Sequence, residues 1–236
     1  MVTIKTLWRP ADFCASLQND CISLLGKVEQ QSIGRTRKEK DKIDKILGWT
    51  LCRMEASLRY GVHPAEIRIG FHEKGKPFFP DFPDFKFNIT HGGNIIAVAF
   101  CDGHEVGIDV ENADRSVNLM IAERYFAPSE VDFLQKTPTQ QRPRAFLRLW
   151  TVKEAYLKMI GTGLSRPLNS FEIQYDSDKI TIYENQILQD CTVFQDETDP
   201  KHIITVCVKS GENNFLFNRQ NMKSIINFVE KNKRAN

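Results

Sequence analysis

Residues 106–111 read "VGIDVE", a run of strand-forming residues that carries two carboxylates, Asp109 and Glu111, two positions apart. In a strand, residues i and i+2 share a face. Asp109 and Glu111 therefore point one way, and Val106, Ile108 and Val110 the other. Neighbouring acids repel, and burying them is costly unless a positive group lies between them. A third acid, Glu154, sits in the largely apolar run "QQRPRAFLRLWTVKEAYLKMI" of residues 140–160. On a helix, Trp150, Glu154, Leu157 or Lys158, and Gly161 fall on successive turns of one stripe. Read alone, Glu154 and Lys158 make an i,i+4 surface pair contributing about 0.2–0.5 kcal/mol. Read with the strand, Asp109, Glu111 and Glu154 offer three oxygen ligands to one hard divalent cation, which would also relieve the repulsion within the strand. Magnesium takes a few carboxylates and completes its octahedron, at about 2.1 Å, with waters and phosphate oxygens. These motifs contain no histidine or cysteine partner, which favours magnesium, or manganese, over zinc.

A phosphate-bearing substrate also needs cations and donors. "GKP" places Lys76 in a tight turn between strands, and "NITHGG" places Thr90 and His91 at a strand end before two glycines. Backbone amides in such a turn can approach a ligand closely. Each feature has a plainer reading too: a turn lysine is ordinarily exposed, and a strand-end histidine ordinarily makes a structural hydrogen bond. The dense basic run Arg35, Arg37, Lys38, Lys40, Lys42 and Lys45 reads first as a solvated helix face.

The elements that must position these residues follow from periodicity. Residues 36–60 carry Ile43, Ile46, Leu47, Leu51, Met54 and Leu58 at helical spacing, with Gly61 as the stop. The runs "EIRIGFHE", "FKFNIT", "NIIAVAFC" and "EVGIDVE" read as strands separated by turn chemistry. Residues 117–135 read as helical with a restart at "APSE", and residues 140–160 form the strongest helix, closed by Gly161. Then "SFEIQY", "KITIYE", "CTVFQ" and "HIITVCVK" read as antiparallel strands, and "NMKSIINFVEK" as an amphipathic packing helix. The expectation is an α+β fold of two halves, residues 1–103 and 104–236.

The 236 residues, 41% hydrophobic and 26% charged with a net charge of +2, fit a soluble globular chain and give no charge argument for duplex nucleic acid. No apolar run approaches the roughly 20 residues of a membrane span. Six scattered cysteines without a CxxC pair suggest a reduced, cytoplasmic protein.

In this order and spacing, "GKP", "FNITH", "VGIDVE" and "WTVKEAYLK" resemble the Sfp-type 4′-phosphopantetheinyl transferases. The resemblance covers residues 35–170 and implies two similar, pseudo-symmetric α+β halves with the active site in the crevice between them. It implies transfer of the phosphopantetheine arm of coenzyme A to a serine of an apo acyl or peptidyl carrier protein, releasing adenosine 3′,5′-bisphosphate. The carrier would serve a fatty acid, polyketide or nonribosomal peptide synthase. The family's metal ligands fall on Asp109, Glu111 and Glu154, with Mg2+ expected and Mn2+ as its alternative. Lys76, Thr90 and His91 match the coenzyme-A-contacting motifs, with threonine where serine is commoner. Lys153 and Lys158 match the lysines of the final motif, whose glutamate is also a candidate for activating the serine. The basic segment matches loosely, with Lys38 or Lys45 as the expected contact to the 3′-phosphate. Residues 118–126, "NLMIAERYF", are either part of the carrier docking surface or a core helix. A monomer is expected, since two internal halves could build the crevice. The alternatives are a magnesium-dependent nucleotide pyrophosphohydrolase using the same acids, or a coenzyme-A-binding module without turnover.

Overall fold

The computed structural model describes residues 1–176, 179–209 and 212–233. In chain order its elements are β1 (Val2–Trp8), α1 (Ala15–Ser23), α2 (Lys27–Gly34), α3 (Glu39–Tyr60), β2 (Gly70–Phe71), β3 (Pro77–Phe78), β4 (Phe85–Gly92), β5 (Ile95–Asp102) and β6 (Val106–Asn112). There follow α4 (Met120–Tyr125), α5 (Pro128–Lys136), α6 (Arg142–Ile160), β7 (Glu172–Asp176), β8 (Lys179–Glu184), β9 (Ile187–Leu188), β10 (Cys191–Asp196), β11 (His202–Lys209), β12 (Phe215–Gln220) and α7 (Met222–Asn232).

Two sheets form the centre. One has the strand order β12-β1-β5-β4, the other β10-β11-β6. Alternation along each strand sends one set of side chains between the sheets: Val2, Ile4, Ala97 and Ala99 from the first meet Ile108, Val110 and Val206 from the second. The opposite faces are covered by helices. Leu47 and Leu51 of α3 pack with Phe87, Ile96 and Val98; Val152, Ala155 and Tyr156 of α6 pack in one core with Ile203 and Cys207. The result is helix, sheet, sheet, helix, the two similar layers expected of paired α+β halves.

The elements read from the sequence over residues 85–160 are all present, and α3 and α6 each stop before a left-handed glycine, Gly61 and Gly161. Two readings change. "EIRIGFHE" is not a full strand: only its first residue belongs to a 3₁₀ turn, Pro64–Glu66, residues 67–69 carry no ladder, and β2 takes the next two. Within it the Ile67 carbonyl is taken at 2.9 Å by the guanidinium of the fully buried Arg53 instead of by a ladder. The tail also departs from a division by chain position. β12 pairs in parallel with β1, and Ile225, Phe228 and Val229 of α7 join the core beneath α3, so residues 215–232 close the first half. β1, α1, α2 and β12 have no counterpart in the sequence reading. Among the described residues, no helix is long and apolar enough to cross a membrane.

The packing of α6 on β6 depends on Gly107. A Cβ there would overlap the Ala155 carbonyl oxygen and the Met159 amide nitrogen, both rigid backbone. Gly107→Ala should therefore cost about 3 kcal/mol, at the top of the range for overpacking, read as a lowered urea midpoint with an unchanged slope.

Candidate active site

β4 and β6 are edge strands of different sheets, and they meet along a seam. Gly92 lets them close: a Cβ there would overlap the Val110 carbonyl. Gly107 lets α6 lie directly on β6. These two contacts bring Thr90 of β4, Asp109 of β6 and Lys158 of α6 to one point. The Lys158 ammonium donates to Asp109 Oδ1 at 2.7 Å, to the Ile108 carbonyl at 3.2 Å and to Thr90 Oγ1 at 3.3 Å. Thr90 Oγ1 donates to Asp109 Oδ1 at 3.3 Å. The pair of Glu154 with Lys158 is thus replaced by a pair of Lys158 with Asp109.

Glu111 is held by Arg115 in a bidentate pair, 2.7 and 2.9 Å. Burial pushes the Glu111 carboxyl above its ordinary value, with Arg115 opposing and Asp109 adding to the rise. Burial likewise raises Glu154, and Asp109 and Glu111 raise it further against the pull of Lys158. The three acids therefore share one field. Asp109 Oδ2 is buried with no hydrogen-bond partner among the described residues. An orphaned carboxylate oxygen beside two acids that resist ionisation is an all-oxygen donor set short of positive charge, and it fits a hard divalent cation. The side chains are not, as they stand, gathered into a closed ligand set among the described residues; Lys158 and Arg115 hold two of them.

His91 stands at the cleft mouth, 43% exposed, with Nδ1 3.4 Å from Asp44 Oδ2. Asp44 is fully buried and takes Arg9 through two bonds, 2.6 and 2.8 Å. Arg9 also reaches the Gly93 carbonyl at 3.1 Å and Asn94 Oδ1 at 3.2 Å, clamping the glycine turn. Neither Arg9 nor Asp44 was singled out in the sequence. A signal existed: Asp44 lies at i, i+3 and i+7 with Leu47 and Leu51, on the buried stripe of α3.

Lys76 is not an exposed turn lysine. Its ammonium is bound by Glu105 at 2.6 Å, the Met159 carbonyl at 2.8 Å and the Val106 carbonyl at 3.1 Å, and burial lowers its pKa against the pull of Glu105. It ties the GKP turn to the ends of β6 and α6. Lys45 donates to Thr36 Oγ1 at 2.9 Å and approaches Ser32 at 3.4 Å, at a surface recess shared with Arg35. Lys38 is exposed at the N-cap of α3.

Lys153 must be removed from the site. It is fully buried on the other side of α6, paired with Glu130 at 2.9 Å, and donates to the carbonyls of Leu168 and Phe171 at 2.8 and 3.1 Å. Its ammonium lies over the Phe126 and Phe171 rings. The spacing of Phe146, Leu149, Lys153 and Tyr156 places it on the apolar stripe, which explains the burial. Burial lowers the Lys153 pKa and raises that of Glu130. Glu130 also accepts from the Ala127 and Ile173 amides, each at 2.9 Å. Lys153→Met should cost about 3 kcal/mol by stranding the Glu130 carboxylate, measured by urea unfolding, while leaving catalysis by the folded fraction near its normal level.

The family model of the 4'-phosphopantetheinyl transferase superfamily matches residues 105–207, and that of a 4'-phosphopantetheinyl transferase N-terminal domain matches residues 6–102. A 4'-phosphopantetheinyl transferase of Bacillus subtilis is 33% identical over 82% of this chain and 86% of its own. The enzyme gsp of Aneurinibacillus migulanus is 33% identical over 74% of this chain and 72% of its own. HetI of Nostoc sp. is 31% identical over 71% and 72%, respectively. With acids, lysine and threonine meeting where the two matched halves touch, the chain belongs to the 4'-phosphopantetheinyl transferase superfamily.

Proposed function

We infer that this protein transfers the 4′-phosphopantetheine arm of coenzyme A to a serine hydroxyl of an apo acyl or peptidyl carrier protein. The observation that carries this reading is the meeting of Thr90, Asp109 and Lys158 from both halves, beside two acids whose ionisation the site opposes.

Asp109, Glu111 and Glu154 would hold Mg2+, with Mn2+ as the alternative. Bound there, a divalent cation neutralises charge on a diphosphate and favours its leaving oxygen. The chain's own groups do the rest. The serine oxygen forms the new bond to the phosphorus bearing the pantetheine arm, and the bond to the adenosine-side phosphate breaks. The serine proton would pass to Glu154, directly or through water. Lys158 meets the charge that grows on the departing adenosine 3′,5′-bisphosphate. His91, aimed by Asp44, anchors a coenzyme A phosphate at the cleft mouth, and Lys45 or Lys38 takes the 3′-phosphate. Lys76 shapes the cleft by tethering its turn more than by offering a free ammonium.

The carrier would dock beside α4, where Met120 is 69% exposed and Tyr125 47%. Both halves come from one chain, so a monomer suffices, and we place the reaction in the cytoplasm.

Mass spectrometry of a panel of apo carriers after incubation with coenzyme A and magnesium tests the reading. A gain of one phosphopantetheine arm is expected; coenzyme A hydrolysis without any carrier modification would favour a pyrophosphohydrolase instead. Met120→Asp should raise KM for the carrier and leave KM for coenzyme A in place. Glu154→Gln should lower transfer on the order of 10²–10³-fold, yet raise the unfolding temperature at pH 7 without added metal. The sign follows from the raised folded pKa: the ionised carboxylate is penalised only when folded, so its neutral replacement gains at pH 7. That gain fades as pH falls through the raised value towards the ordinary 4.5, where the native group is itself neutral.

A further inference from the structure

β6 ends its sheet: β11 pairs with its inner edge, and no strand is laddered to its outer edge among the described residues. Side chains satisfy that edge instead. Lys76 caps the Val106 carbonyl and Lys158 the Ile108 carbonyl. The Ile108 amide donates at 3.0 Å to Oδ1 of Asn88, a β4 residue only 7% exposed. Asn88 and Thr90 share one face of β4, and their partners across the ladder are Ala99 and Ala97. Those small residues leave room for β6 to approach. Position 88 otherwise borders the apolar layer between the sheets, where a polar side chain is costly without a partner.

We propose that Asn88 is a positioning residue for the transfer reaction: its bond to the Ile108 amide fixes β6 against β4 one residue before Asp109. This rests on the reading of Asp109 as an acid of the active site. The backbone of Ile108 is gripped on its N–H by β4 and on its carbonyl by Lys158 of α6, so both walls of the cleft register on one residue. Asp109 follows directly, and its separation from Thr90 is set by the Asn88 bond. A strand held by a ladder on one edge alone resists sliding less, and a slip of one residue would turn Asp109 to the opposite face.

The test uses the full chain with coenzyme A, magnesium and an apo carrier. Asn88→Ala should speed amide exchange at Ile108 about tenfold or more in NMR and lower kcat on the order of 10²-fold. KM for coenzyme A should move less than kcat, since the His91 end of the cleft is untouched and only the Asp109 end shifts. Asn88→Gln, which keeps a neutral amide oxygen as acceptor, should restore Ile108 protection and most of kcat. A merely structural role would lower the unfolding temperature of both variants and leave kcat alone. Unchanged Ile108 exchange in Asn88→Ala, or equal loss of kcat in both variants, would overturn the proposal. If Asn88→Ala does not fold, Asn88→Gln decides by whether Ile108 stays protected. If the wild type transfers nothing, the reaction reading fails, and the exchange result still shows whether the clasp exists.

Discussion

The contact between Lys158 and Asp109 is where the architecture of this protein becomes chemistry. One comes from a helix on the outer face of the second sheet, the other from that sheet's edge strand, and Thr90 joins them from the first sheet. Three elements separated in sequence must arrive within hydrogen-bond distance. Two glycines make this possible, Gly92 at the strand seam and Gly107 under the helix. Neither carries chemistry, yet each removes a side chain that would push a wall of the cleft outward by more than the site can tolerate.

Charge balance separates this cleft from the other charged clusters of the molecule. Arg53 and Glu29 are fully buried as a pair, with the remaining guanidinium donors on carbonyls. Lys153 and Glu130 form a second closed pair with every nearby donor matched. In the cleft, three acids face Lys158 and Arg115, and one Asp109 oxygen has no partner among the described residues. Burial and mutual repulsion then favour protonation of Glu111 and Glu154. Such tension is tolerated most readily at a functional site, where stability is exchanged for activity.

Much of this was legible because the signals are local. The i, i+2 spacing of Asp109 and Glu111 gives their shared face, and the helical stripe of residues 140–160 places Glu154 and Lys158 one turn apart. Lys153 matches a lysine of the family's final motif, yet its place on the apolar stripe with Phe146, Leu149 and Tyr156 carries it into the core. Lys76 reads as a surface turn because its partners, the Val106 and Met159 carbonyls, lie 30 and 83 positions away. Arg9, β12 and the return of α7 to the first half were hidden for the same reason. A parallel pairing of the first strand with the last leaves no trace in local periodicity, and an arginine that clamps a turn 84 residues distant looks like any surface arginine.

The proposed chemistry requires three carboxylates, from a strand and a helix, to serve one divalent ion. Calorimetric titration of manganese into the coenzyme-A-loaded protein addresses it directly. One ion per chain is expected, with binding lost in both Asp109→Ala and Glu154→Ala while the folds persist. Undiminished manganese binding in both variants would contradict the account.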